Sequence, residues 1–164
     1  MQGGIPQSVK PIFFGANLIP LRKKDGRIHP IAVGQSLIRL VAKCVSSRVS
    51  KTLGAELSPQ QLGCGILFGC KAAAHAARLY LHSMPSNHLL LKLDFKNAFN
   101  TLRRDKILES VKNHVPELFS FIHAAYGEPS HLFCGQRTLL SVEGVQQGDP
   151  LAHSCSVSPL NVLC

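Results

Sequence analysis

With 164 residues, 45% of them hydrophobic and only 16% charged, the chain is long enough for one domain with a core and too apolar to be disordered. Its formal charge of +9, from 18 Lys and Arg against 9 Asp and Glu, favours a polyanionic partner, nucleic acid first. The six cysteines, at 44, 64, 70, 134, 155 and 164, form no C-x-x-C pair and have no histidine at zinc-finger spacing, which argues against a zinc site. They are expected to be mostly buried thiols in a reducing compartment. The N-terminus has no signal-peptide pattern, and the apolar stretch at 63–69 is too short to cross a bilayer. A soluble intracellular protein, cytoplasmic or nuclear, is expected.

Residues 1–17 read as a lead-in. In LIPLRKKDGRIHPIAV two short apolar runs flank Asp25-Gly26, the signature of a hairpin. Its tip carries Arg22, Lys23, Lys24 and Arg27, either a solvated turn or a finger that grips phosphates. Leu37, Leu40, Val41, Cys44, Val45 and Val49 recur at helical spacing and predict a helix with that stripe inward. Ser58-Pro59 reads as an N-cap followed by Pro at the first helical position. LGCGILFGC lacks the G-K-[ST] ending of a P-loop and reads as a tight connection.

A helix is predicted over about 71–83, where Lys71, His75, Arg78 and His82 share one face. That face is either solvated or turned toward nucleic acid. A strand follows over 88–95, then a helix over about 103–114 with Ile107, Leu108, Val111 and Val115 inward. Another helix begins at Pro116, with Leu118, Phe121, Ile122 and Ala125 inward. Residues 131–142 suit a hairpin around Gly135-Gln136, and EGVQQGDPL reads as a turn into a new element. Helices and strands mix without regular alternation or internal repeat, which predicts an α+β fold.

Asp94 closes the apolar run LLLKLD, where an unpaired charge is costly to bury. A carboxylate there can hold Mg²⁺, cap the following turn, or pair with a nearby cation. In chain order, LIPLRKKDGRIHPIAV, LKLDFKNAFNTL and VQQGDPL together resemble the reverse transcriptase domain of non-LTR retrotransposons, over roughly 11–151. The first segment resembles that family's fingers hairpin. The second resembles its first palm motif, an Asp followed five residues later by an aromatic. The third resembles its Gln-Gly-x-Pro-Leu motif.

The resemblance implies a partial polymerase right hand: a fingers part at 1–87 with the basic hairpin near 18–33, a partial palm at 88–151, and a tail at 152–164 outside the resemblance. It implies that Asp94 and the Phe95 carbonyl bind Mg²⁺. It also implies that Phe99 lies under the sugar of the incoming nucleotide, that Gln147 lies against that nucleotide, and that Lys23 and Arg27 contact its triphosphate. RNA template, DNA primer and deoxynucleoside triphosphates are the implied partners. His29 stands where the family commonly has Arg, and imidazole grips phosphate less well than guanidinium. After Leu151 the family continues with an apolar helix and a hairpin bearing two adjacent aspartates, whereas this chain reads AHSCSVSPLNVLC. The expectation is a truncated or frameshifted RNA-directed DNA polymerase domain, inactive alone. The alternatives are a non-enzymatic basic nucleic-acid-binding module and a translated remnant without function.

Overall fold

A computed structural model of the chain describes residues 4–22, 24–93 and 98–151. The short helix α1 (Lys10–Phe13) leads into an antiparallel hairpin of β1 (Ala16–Arg22) and β2 (Ile28–Gly34). Two long helices follow, α2 (Ser36–Leu57) and α3 (Gly69–Ser83). Then come a single turn, α4 (Ala98–Thr101), the helix α5 (Arg104–His114), a 3₁₀ turn at Pro116–Leu118 and α6 (Phe119–Tyr126). A second hairpin, β3 (Ser130–Cys134) and β4 (Arg137–Ser141), completes the described elements. The α+β expectation holds.

The four strands form one sheet in the order β2-β1-β3-β4, so strands from the first and last thirds of the chain meet in its centre. β1 pairs with β2 along its whole length, from Ala16 opposite Gly34 to Arg22 opposite Ile28. It pairs in parallel with β3 only at Ala16 and Asn17. Past Asn17 the first hairpin therefore leaves the sheet as a two-stranded arm. Pro20 and Pro30 face each other in that arm, where β1 has left β3, and a missing N–H costs no sheet bond to a third strand. The arm carries the basic tip outward, with Gly26 at φ +81 making the turn that an L side chain resists.

The core lies where α2, α5 and α6 meet the segment 145–151. Among the described residues Ile107, Ile122 and Leu151 are the largest fully buried side chains, with Val49, Leu53, Leu57, Val111, Val115 and Val145 around them. The α5 and α6 apolar positions are those the spacing predicts. The α2 stripe is so only at Val45 and Val49. Leu37, Leu40, Val41 and Cys44 face solvent, and the buried line is Ala42, Val49, Leu53 and Leu57, with Ile38 and Val45 packed beside it. α2 is apolar on two sides, and small Ala42 marks the side that approaches the core most closely. A count of large apolar residues favours the other side.

Three further expectations need correction. Ser58 ends α2 instead of capping a new helix, so Pro59 stands just past a helix C-terminus, the other position Pro favours. Residues 88–93 form no strand, and the rest of the expected strand, Asp94 and Phe95, lies outside the described residues. Of the four described cysteines, all free thiols, only Cys64 is buried. The Gly-rich connection is as tight as expected: Gly65 sits at φ +67, and a Cβ there would lie 1.8 Å from the Ser50 carbonyl oxygen.

Leu53→Ala should lower unfolding free energy by about 2–5 kcal/mol, while Leu40→Ala should change it by less than about 0.5 kcal/mol. Urea denaturation of both variants checks which face of α2 is inward. Equal losses would contradict the assignment.

Candidate functional site

Two of the motif segments are held face to face. The Val145 N–H donates to the Phe99 carbonyl at 2.8 Å, and the Gly144 N–H donates to the Leu102 carbonyl at 2.9 Å. The turn after LKLDFKNAFN is thus stitched to the turn that begins GVQQGDPL. Gly144 makes the approach possible. Its φ is +64, and a Cβ there would lie 2.5 Å from the Asn100 carbonyl group and the Phe99 oxygen.

The second segment is fixed from both sides. The Gln146 amide donates to the Phe14 carbonyl at 3.0 Å and lies against Gly34, where a Cβ would come 2.8 Å from its Oε1. The Gly148 N–H reaches the Ala32 carbonyl at 3.3 Å. The segment is thereby tied to the base of the hairpin arm. Asp149 accepts from the Leu151 N–H at 2.9 Å and from the Tyr126 hydroxyl, so Asp149-Pro150 starts a helical turn as N-cap and first residue.

Arg104 holds the opposite side. Its guanidinium donates to the Gly144 carbonyl at 3.0 Å, the Ser141 hydroxyl at 2.8 Å and the Glu128 carbonyl at 3.2 Å, and contacts the Glu143 carbonyl at 3.4 Å. It also lies 5.5 Å from the centre of the Tyr126 ring. Burial pulls its pKa below the usual guanidinium range.

Between these segments and the strands runs a half-open groove of about 310 Å³. Its polar lining comes from Asn100, Ser141, Glu143 and Gln146, and its apolar wall from Leu18, Pro30, Ala32, Leu132, Leu140, Val142 and Val145. The volume is at the low end for a small-molecule site. Arg27 lies three residues beyond Pro30 along the arm, roughly 10 Å at strand rise.

The model of the family described as reverse transcriptase (RNA-dependent DNA polymerase) matches residues 21–163. The chain belongs to the reverse transcriptase family. The match takes in the basic tip and both later motifs, and it continues past Leu151, where the motif reading expected the likeness to end. Comparison with individual curated proteins gives no match. Reverse transcriptase domains act on a nucleic-acid template and primer with nucleotide substrates, and they generally use divalent metal ions.

The reverse transcriptase motifs supply six expected site residues, and the structure describes three. Phe99 is half-buried and packs against the core, while its neighbour Asn100 lines the groove. Gln147 is half-buried, and its side chain makes no hydrogen bond among the described residues, whereas Gln146 is spent on structure. Arg27 is exposed at the tip and forks onto Asp25 at 2.8 and 2.6 Å. Such an exposed pair is weak, so phosphate can compete for the guanidinium. Asp94, Phe95 and Lys23 lie outside the described residues.

Arg104, Tyr126 and Asp149 were not foreseen as an organising group. The doubled Gln gave no hint of which one anchors. Among the described residues no three His, Cys, Asp or Glu side chains come together as a metal-binding group. Most described carboxylates are engaged elsewhere: Asp25 with Arg27, Asp105 with Arg103, Glu109 with Lys106, Glu56 with His114, Glu128 with Gln7 and Asp149 with Tyr126. The described residues therefore do not fit a two-ion site.

Gly144→Ala should cost about 2 kcal/mol or more, because it demands a left-handed Ala and collides with the Phe99–Asn100 backbone. Thermal or urea melting checks it. An unchanged midpoint would contradict the close approach.

Burial raises the Asp149 pKa, while the Tyr126 hydroxyl, the Leu151 N–H and Arg39 oppose the rise. With the folded pKa above the unfolded value, the folded state binds more protons between the two, so this group's contribution to stability grows as pH falls through that window toward 3.8. Asp149→Asn should therefore gain on the native chain as pH rises from 3.8 through the folded pKa, then level off. Urea unfolding of both proteins at stepped pH reads this difference. The opposite slope would contradict the burial argument.

Proposed function

We propose that this chain is the fingers and part of the palm of a non-LTR retrotransposon reverse transcriptase, and that these 164 residues do not polymerise by themselves. The observation that carries the reading is the stitching of the Phe99 turn to the Gly144–Gln147 segment beside the arm that bears the basic tip. This is the proximity that a nucleotide-binding face built from those three motifs requires. The fingers part is 1–87 and the partial palm 88–151, sharing the central sheet.

In this reading Lys23 and Arg27 contact the triphosphate, with Arg22 and Lys24 adding to the field at the tip. Gln147 lies against the incoming nucleotide, its amide open to hydrogen bonding. Phe99 lies under the sugar and limits the space for a 2′-hydroxyl. Asp94 and the Phe95 carbonyl would hold a divalent ion, Mg²⁺, which would screen phosphate charge. His29 stands half-buried opposite Leu21 and lacks the planar fork with which an arginine would meet the triphosphate. In-line phosphoryl transfer needs several converging oxygen ligands around its ions, and one carboxylate from this chain does not supply them.

Purified chain should bind an RNA–DNA duplex with an affinity that falls steeply with salt, because neutralised phosphates release counterions. It should extend a primer, with Mg²⁺ or Mn²⁺, no better than the Asp94→Ala variant. Template-dependent incorporation abolished by Asp94→Ala would show that this chain completes its own site. An affinity indifferent to salt would remove the nucleic-acid reading.

A further inference from the structure

From Leu57 to Leu93 the sequence contains no Asp or Glu, while it carries Lys71, Arg78 and Lys92 and the histidines 75, 82 and 88. The middle of that stretch is α3, which buries only Gly69. Lys71, His75, Arg78 and His82 are all exposed, and at 100° per residue they fall on one side of the helix. No carboxylate pairs with any of them among the described residues. Three cations elsewhere have a carboxylate beside them, Arg27 with Asp25, Arg103 with Asp105 and Lys106 with Glu109. Others, such as Arg48, Lys51 and Arg137, form no ion pair among the described residues. What sets α3 apart is that its cations share one face in a stretch without any acidic residue. The α3 stripe is an unmatched row of donors.

At its head stands Phe68. It precedes α3 at φ 58 and ψ 14, in the left-handed region that a bulky side chain rarely occupies. The residue is 67% exposed, so burial does not account for that backbone conformation. The ring lies beside the stripe, with Lys71 Nζ 5.8 Å from its centre. An open aromatic face next to a row of cations is the combination that grips single strands, bases stacking on the ring and phosphates meeting the charges.

We infer that α3, led by Phe68, is a second nucleic-acid contact, one that takes an unpaired strand without reading its sequence. Phe68 stacks a base. Lys71 and Arg78 neutralise phosphates, and His75 and His82 add N–H donors between and beyond them. From Lys71 to His82 the helix rises about 16 Å, long enough to follow a few phosphates of an extended strand. The absence of acidic residues from 57 to 93 favours a polyanion of uniform charge, and the exposed ring favours one that carries bases. The inference rests on the reading of the chain as a nucleic-acid-binding piece of a reverse transcriptase.

The test is fluorescence anisotropy of a labelled single-stranded RNA of about 20 nucleotides, long enough to span the stripe, with the full chain across a salt series. Three variants are compared: Lys71→Gln with Arg78→Gln, Phe68→Asn, and Arg22→Gln with Lys24→Gln on the hairpin arm. Asn tolerates the left-handed conformation, so Phe68→Asn removes the ring and leaves the turn. The α3 double variant should reduce the slope of log affinity against log salt by about 1.4, at about 0.7 for each phosphate no longer neutralised. Phe68→Asn should bind at least about fivefold more weakly with its salt slope unchanged. All variants should keep the native melting transition.

If the arm variant weakens binding while both α3 variants bind as the native chain does, the α3 inference is overturned and the functional reading stands. No binding by the native chain overturns both. Displacement of the RNA by polyglutamate at equal charge concentration overturns the choice of nucleic acid and assigns α3 to an acidic polypeptide.

Discussion

The buried guanidinium of Arg104 is the constraint on which the architecture around the groove depends. A charge in that position needs satisfied donors, and among the described residues no carboxylate is a hydrogen-bond partner of it. Backbone carbonyls of Glu128, Glu143 and Gly144 and the Ser141 hydroxyl take that role. Those acceptors come from the entry to β3, the end of β4 and the turn beyond it. One side chain from the first turn of α5 therefore fixes where the second hairpin starts, where it ends and how the chain leaves it. The flat Tyr126 ring beneath the guanidinium extends the same contact to Asp149 through its hydroxyl. Lysine carries the charge but not the planar fork, and it cannot reach acceptors spread over three places.

From that fixed point the geometry of the groove follows. With the Gly144 carbonyl held by Arg104, its N–H and that of Val145 point at the turn of α4, and the absence of a Cβ lets the two backbones meet. Gln146 then reaches Phe14 and Gly148 reaches Ala32, which locks the same segment to the root of the arm. The arm extends beyond its short pairing with β3, so its charged tip stands away from the sheet while its base is clamped. In the proposed reading that division supplies a rigid floor for the nucleotide and a basic arm for its phosphates.

Much of this was legible in the sequence. Asp25-Gly26 and Gly135-Gln136 mark their turns, and the α5 and α6 stripes mark their buried faces. The order of three short motifs identifies the family. The failures have physical causes. α2 has two apolar sides, and periodicity cannot say that the one bearing Ala42 packs inward. LLLKL has the composition of a strand but no strand partner among the described residues, and composition does not supply one. Ser-Pro suits the start of a helix and equally the residues just past its end. Arg104 was invisible because an arginine one residue into a helix, beside Arg103, reads as surface charge. Only the acceptors it finds, up to 40 residues away, show otherwise.

The most direct measurement is native-state hydrogen exchange at the Gly144 and Val145 amides, read by NMR in the native chain and in Arg104→Lys. If Arg104 holds the motif segments together, both amides in the native chain exchange about as slowly as those of α5. In the variant they then exchange much faster, while the α5 amides near Ile107 slow or quicken only with global stability. Unprotected Gly144 and Val145 amides in the native chain, or protection unchanged by the substitution, would contradict the account.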